Sequence, residues 1–352
     1  MNLARHEVAF ADYQADRYRP GFDGLRAIGF LLVVTAHIPE VTLFSYLQGW
    51  TAVWLFFAIS GYLVTMLPIR EGRKTGGVAF GSFLNRRAVR IVPPYAATIV
   101  IYWLALYSIP PLHDEYPAFV ERLPYYLTLM PEYAHTNVFT VFVHTWIIGV
   151  ETKFYLFFPP IAYLLIRNDR IRFGVTAATI VLLTADGSFL LSAYCAILVG
   201  ALLAQLLEWP RAYAVFAAAT RVPVVVPLGF VAALFVMLRY VEVLPAVSAV
   251  SVYVVAYVIL QDSAVRRLLS SRPLVYLGQR SYGSYLLHLL AIHIGRTVFG
   301  STSELDGWLI FVFALALTIA GAELLHRAVE SPAMEFGRRC VTALRPVNSA
   351  KA

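Results

Sequence analysis

Charged residues are scarce in this chain, and cysteine is scarcer still. Only 14% of the 352 residues are charged, whereas soluble domains average about 25%. Because 59% of the residues are hydrophobic, most of the surface must face something other than water, and lipid is the obvious candidate. Two cysteines, Cys195 and Cys340, are too few for a disulfide framework, and we interpret both as unpaired. The net charge of +7 would suit nucleic acid in a soluble protein, but in a membrane protein it indicates basic cytoplasmic loops.

The N-terminal residues also lack the pattern of a removable signal peptide. The first twenty residues are polar, and no short apolar region with a small-residue cleavage site follows them, so we expect the first apolar segment to stay as a signal anchor. We see no internal repeat and no appended soluble domain. We therefore divide the chain into a cytoplasmic segment (1–20), a transmembrane domain (21–335) and a cytoplasmic tail (336–352) whose end we expect to be disordered.

Long apolar runs are abundant. A spanning helix needs about 20 mainly apolar residues, and ten segments qualify, the fifth of them short: 24–44, 50–69, 91–109, 139–166, 172–185, 188–207, 222–238, 244–260, 275–299 and 307–328. If the N-terminus is cytoplasmic, all basic residues fall in inside segments except Arg122, Arg239, Arg296 and Lys153, as the positive-inside rule requires. The sequence thus predicts an all-α, polytopic integral membrane protein with about ten transmembrane helices and both termini in the cytoplasm.

The first predicted span contains ionisable residues, which are costly in hydrocarbon and rare there. Asp23 and Arg26 lie where it begins and are expected to pair, and His37 lies about 17 Å beyond Arg26 by helix rise. Pro39 follows and should kink the helix. For His37 alone, a hydrogen bond that holds neighbouring helices together is as good an explanation as catalysis.

The fourth predicted span also contains ionisable residues. The stretch 144–160 contains His144, Glu151 and Lys153, and helix rise puts Glu151 at a depth similar to that of His37. A carboxylate there needs a partner, which could be His37 or, as the structural alternative, Lys153.

The ninth span has a polar face. Ser281, Tyr285 and His288 follow at i, i+4 and i+7, on one side of a helix. We favour a polar cavity lining over a simple interfacial tyrosine anchor.

A basic stretch, 82–94, contains Arg86, Arg87 and Arg90, which we interpret as an inner loop. Arg86 and Arg90 are four residues apart and would share a face of a helical turn. Guanidinium groups suit bidentate phosphate binding, but basic residues belong on the cytoplasmic side in any case. The sequence favours neither phosphate binding nor membrane topology as the explanation for these arginines.

Taken together, these stretches resemble the acyltransferase-3 family of bacterial membrane proteins. The similarity runs in order through FDGLRAIGFLLVVTAH (22–37), WLFFAISGYLVT (54–65), FLNRRAVRIVPPY (83–95), HTWIIGVETKFYLFFP (144–159), YLGQRSYGSYLLHL (276–289) and HRAVESP (326–332). It covers nearly the whole chain. Tyr62 departs from the pattern, since phenylalanine is commoner there, and we expect its hydroxyl to bond locally.

The resemblance implies a bacterial inner-membrane enzyme that moves an acyl group, most often acetyl from acyl-CoA, to a hydroxyl. The family's first-helix histidine corresponds to His37, which we expect to be the general base, with Glu151 orienting it and Arg26 beside the site. We expect Arg86, Arg87 and Arg90 to bind the CoA phosphates. The expected substrate and oxyanion contacts are Tyr155, Ser281, Tyr282, Tyr285 and His288. No metal is expected.

Several alternatives stay open at this stage. Direct transfer and a covalent acyl-histidine route are both compatible with the residues. The acceptor could be an exopolysaccharide, a lipopolysaccharide sugar, a lipid-linked intermediate or a small molecule, and the acyl group could be longer than acetyl. A transporter with an intramembrane proton relay is the rival class, although no inverted repeat is visible. A structural subunit of a polysaccharide-assembly complex ranks last, since it would leave the buried charges unexplained.

Overall fold

The computed structural model describes residues 10–15, 19–134, 140–166, 168–186, 188–229, 232 and 244–343. Within these residues the chain is helical and contains no strand, as the sequence predicts. Its longer helices are α1 (Pro20–Ala36), α2 (Ala52–Thr75), α3 (Phe80–Ser108), α4 (Tyr116–Leu127), α5 (Trp146–Pro160), α6 (Asp169–Asp186), α7 (Phe189–Leu207), α8 (Pro210–Ala219), α9 (Leu244–Leu260), α10 (Arg272–Gln279), α11 (Ser281–Phe299), α12 (Glu304–Leu325) and α13 (Ser331–Ala343).

Four helical segments of the described chain are long and apolar enough to cross a membrane: Gly49–Thr75, Phe80–Ser108, Phe189–Leu207 and Glu304–Arg339. Each lies over one of the ten predicted spans, and five further helices of 15 to 19 residues coincide with other predicted spans. The predicted span 222–238 is described only at residues 222–229 and 232. The count of ten and the cytoplasmic placement of the termini stay predictions.

Three sequence-based boundaries differ from the structure. The first span ends at Ala36 rather than at residue 44, because Pro39 has no N–H for the helix ladder and disfavours a helical conformation in the residue before it. The basic stretch 82–94 is no loop but the start of α3, which runs on through Pro93 and Pro94. The fourth span is interrupted, since residues 161–165 form a π-helical turn after α5.

The chain divides into two units, and the first comprises Met1–Val33, Gln48–Val78 and Leu156–Gln279. Its centre is the packing of α2 on α7, where backbones nearly touch. A Cβ atom at Gly61 would lie 1.8 Å from the Ile197 carbonyl oxygen, and one at Gly200 would lie 2.3 Å from that of Ala58. Small residues at helix contacts permit this close approach, which drives helix association in membranes.

A buried carboxylate secures the N-terminal residues of this unit. The Glu208 side chain is 2% exposed and pairs with Arg70 and Arg73. It also accepts from the Tyr13 hydroxyl at 3.4 Å. The Tyr13 and Tyr62 hydroxyl oxygens are 3.1 Å apart, so the expectation that Tyr62 bonds locally is confirmed. Burial raises the pKa of Tyr13 well above its usual value, so this phenol stays a neutral donor.

The second unit comprises Val34–Leu47, Ala79–Tyr155 and Arg280–Ala352. In it α11 packs along α12, and α3 packs against α4, α13 and the π-helical turn His326–Glu330. Tyr102 of α3 is fully buried and donates to the Leu286 carbonyl at 3.2 Å, while the Leu290 amide donates back to its hydroxyl at 3.0 Å. This bridge fixes α3 against the helix that bears His288.

Candidate active site

His37 lies in a turn just past the end of α1. Its own amide donates to the Val34 carbonyl at 3.1 Å. From α11, Arg296 donates to the His37 carbonyl at 2.8 Å and to the Glu40 carboxylate at 2.8 Å. The sequence predicts His37 inside a spanning helix, but the structure places it in a turn beyond that helix, and Arg296 holds this turn in place.

Three imidazole rings from distant parts of the sequence come together in the second unit. The His37 ring centroid lies 5.1 Å from that of His288, and the His288 centroid lies 4.9 Å from that of His144. His288 and His144 are 0% and 3% exposed, whereas His37 is partly exposed. We refer to His37, His144 and His288 as the histidine cluster.

The backbone selects the tautomer of the two buried rings. Nδ1 of His288 lies 2.6 Å from the Tyr285 carbonyl, and Nε2 of His144 lies 3.0 Å from the Leu286 carbonyl. Since a carbonyl only accepts, each of these nitrogens must carry the proton. The remaining ring nitrogens, Nε2 of His288 and Nδ1 of His144, are buried without a hydrogen-bond partner. In the neutral form each therefore presents an unused lone pair inside the cluster, which a proton-bearing substrate group can satisfy.

The polar face predicted on the ninth span is present on α11, but its tyrosine hydroxyls are already engaged. Tyr285 donates to the His144 carbonyl at 2.8 Å, and Tyr282 donates to the Ile91 carbonyl at 2.9 Å. Ser281 is the first residue of α11 and is 7% exposed. The two tyrosines thus hold neighbouring segments in place, and either would have to release its carbonyl to contact a substrate.

The sequence leaves open whether Glu151 of helix α5 pairs with His37 or with Lys153. Glu151 is partly exposed and lies within electrostatic range of the Tyr282 and Tyr285 hydroxyls. Its predicted contact with the His37 ring stays a prediction. Lys153, considered above as its structural partner, instead pairs with Glu132, whose side chain is 1% exposed.

The three arginines of the basic stretch occupy the second and third turns of α3. Arg86 is exposed, and the Arg87 guanidinium lies over the Tyr155 ring at 5.4 Å. Arg90 lies 3.9 Å from the carboxylate of Glu330, which is 4% exposed and also contacts His326. The Arg87 guanidinium is thus held over an aromatic ring, and guanidinium groups suit bidentate phosphate binding.

Arg26 belongs to the first unit, where its guanidinium lies 3.4 Å from the Asp23 carboxylate. The predicted Asp23–Arg26 pair is confirmed. A catalytic part for Arg26 stays a prediction.

The sequence reasoning gave no role to His144 and did not foresee the Glu330 contact. The available signal for His144 was its position in an apolar span, as for His37 and His288. Within the described ranges, no group of three or more histidine, cysteine or acidic residues is arranged to hold a metal ion.

Comparison with known proteins gives the family of the chain. The acyltransferase-3 family model, described as an acyltransferase domain, matches residues 19–327. "Putative O-acetyltransferase SAS0844" of Staphylococcus aureus strain MSSA476 is 26% identical, over 93% of this chain and 59% of the relative. "O-acetyltransferase OatA" of Staphylococcus aureus strain NCTC 8325 is 24% identical, over 91% of this chain and 58% of the relative. The chain thus spans about three-fifths of the length of these relatives. No solved structure matches significantly.

Proposed function

Because the chain belongs to the acyltransferase-3 family, we propose that it transfers an acyl group, acetyl in the first instance, from acyl-CoA to a hydroxyl of a saccharide or related acceptor. The observation that carries this proposal is the histidine cluster, in which two buried rings each keep an unpartnered nitrogen lone pair. The relatives named O-acetyltransferases support acetyl as the group. A bacterial inner membrane is the corresponding location.

His37 is the general base in this mechanism. It takes the proton of the acceptor hydroxyl while the oxygen attacks the thioester carbon. The new C–O bond forms, the C–S bond breaks, and the imidazolium returns the proton to the leaving CoA thiolate. General-base catalysis of this kind contributes typically 10²–10⁴-fold. His37 suits the role because it is the partly exposed member of the cluster.

His288 and His144 assist His37 as the general base. The Nε2 lone pair of His288 can accept an N–H of His37 after a small ring movement from the 5.1 Å centroid separation. Such a bond would fix which His37 nitrogen faces the hydroxyl, as the carboxylate does in a serine-protease triad. Glu151 contributes a compensating negative charge at the tyrosine side of the site.

The developing oxyanion needs a donor that is not already committed. Ser281 is the first choice because its use as donor breaks neither tyrosine–carbonyl bond, and Tyr282 and Tyr285 follow it. For the donor, Arg86, Arg87 and Arg90 bind the CoA phosphates, with Tyr155 keeping the Arg87 guanidinium in place.

A direct test uses the purified full-length protein in detergent with acetyl-CoA and a pool of cell-envelope glycans. Thiol release measured with a chromogenic disulfide should rise on adding acceptor, and the acceptor should gain the mass of one acetyl group in place of one hydroxyl hydrogen per transfer. A proton-relay transporter would give neither signal. Transfer that proceeds from another donor, with acetyl-CoA left intact, would refute the donor assignment while keeping the family.

A further inference from the structure

A long apolar groove runs along the second unit between α3, α11 and α12. Its volume is about 650 Å³, within the range of about 300–1,000 Å³ that ligand sites occupy. Its walls are entirely apolar except for Thr318, and they include Ala97, Val100, Ala105, Leu317, Gly321 and Val329. The groove is separate from the polar face of α11 that carries His288.

The length of the groove corresponds to one leaflet of a bilayer. From Leu317 to Val329 the helix rise gives about 18 Å, close to half of the roughly 30 Å hydrocarbon core. Several wall residues are exposed, Val100 by 54% and Leu324 by 68%. The groove therefore opens sideways, where a membrane supplies hydrocarbon chains.

One end of the groove is positively charged. Ala328 and Val329 lie between Arg327, whose side chain is 77% exposed, and Glu330. On α3, Arg90 precedes Ala97 by seven residues, which keeps both on one helix face about 10 Å apart.

The charges at this end do not cancel. Arg280 and Arg327 share the single carboxylate of Glu323 at 2.7 and 2.6 Å. Two guanidinium groups thus converge on one carboxylate beside the apolar channel. Arg90 lies 3.9 Å from Glu330.

We propose that this groove binds one hydrocarbon chain of an anionic phospholipid, with the headgroup at Arg327. The apolar walls exclude a polar ligand along most of the length, and the cationic end selects an anionic headgroup over a zwitterionic one. The occupied groove holds α3, α11 and α12 together, next to the His288 face of α11.

Thr318 bears on the nature of the occupant. It is 1% exposed and its hydroxyl has no hydrogen-bond partner. Thr98 on α3, by contrast, donates to the Pro94 carbonyl four residues back at 2.8 Å. Thr318 can turn to the Ala314 carbonyl in the same way, so a hydrocarbon chain needs nothing from it.

The test is native mass spectrometry of the full chain released from nanodiscs that contain equal amounts of phosphatidylglycerol and phosphatidylcholine. The wild type should retain one phosphatidylglycerol with at least about tenfold preference, a difference of roughly 1.4 kcal/mol. Gly321→Phe and Ala105→Phe fill the groove from opposite walls and should abolish retention. Val312→Trp, on the same helix at a 63% exposed position outside the groove, is the matched control and should retain the lipid.

Two further variants distinguish recognition of the lipid headgroup from binding of its hydrocarbon chain. Arg327→Gln should lower the preference for phosphatidylglycerol several-fold, and Thr318→Val should leave it unchanged. Equal retention of both lipids by the wild type would identify ordinary annular lipid and overturn the proposal. So would retention by both folded groove-filling variants, or loss of the lipid in Thr318→Val, which would point to a polar ligand.

Discussion

The Glu132–Lys153 pair provides a sharp test of how the charges near α5 divide between structure and catalysis. The Glu132 side chain is 1% exposed and that of Lys153 is 19% exposed. A Cβ atom at Gly149 would lie 1.8 Å from the Glu132 carboxylate, which shows how closely the carboxylate approaches the helix. Glu132→Gln keeps the shape but leaves the ammonium without its carboxylate.

Removing one partner of a buried pair costs about 3–5 kcal/mol, and the partial exposure of Lys153 favours the lower end. We therefore expect Glu132→Gln to lower stability by about 3 kcal/mol, with Glu132→Gln/Lys153→Met less destabilised than the sum of the single variants. Denaturation of the purified protein, followed by tryptophan fluorescence, measures the double-mutant cycle. In the matched comparison, Glu151→Gln should leave the Glu132–Lys153 coupling intact and lose acetyl transfer.

The result that would refute this reasoning is a cycle without coupling. It would mean that Lys153 does not use Glu132 as its partner. A loss of stability in Glu151→Gln instead of Glu132→Gln would restore Glu151 as the structural partner of Lys153 and remove it from the site.

The remaining predictions concern the donor site and the first unit. Arg86→Ala with Arg87→Ala should raise the KM for acetyl-CoA about tenfold or more with little change in kcat. Substitution of the exposed Arg338 by alanine should leave the KM unchanged. Equal KM values for all three proteins in steady-state assays would mean that Arg86 and Arg87 serve only the orientation of the chain in the membrane. Gly200→Leu should prevent stable folding, because its Cβ would meet the Ala58 carbonyl, and an unchanged melting temperature would contradict the packing of α2 on α7. Glu208→Gln should expose residues 10–15 to limited proteolysis, which a pattern of fragments identical to the wild type would disprove.

Much of the fold could be predicted from apolarity alone. Most predicted spans coincide with observed helices, since hydrocarbon forces backbone groups to bond within each segment. The same criterion could not find where a helix continues beyond its apolar part. It therefore began the third span at residue 91, although α3 begins at Phe80, and placed Arg86 in a loop.

The site was predictable by residue type but not by arrangement. The sequence points to His37 and His288 because ionisable groups are costly in apolar spans, and the structure brings their rings together. That His144 completes the cluster depends on how the segment after residue 140 folds against α11, which no local pattern encodes. The engagement of Tyr285 with the His144 carbonyl is likewise a tertiary contact.

The most direct measurement of the central claim is the rate of acetyl transfer from labelled acetyl-CoA by His37→Gln in reconstituted membranes. His113→Gln, which changes an exposed histidine outside the cluster, is the matched control. The account predicts that His37→Gln loses about 10²-fold or more of the rate while it folds and inserts normally, and that His113→Gln retains it. Transfer by His37→Gln at the wild-type rate would contradict the account.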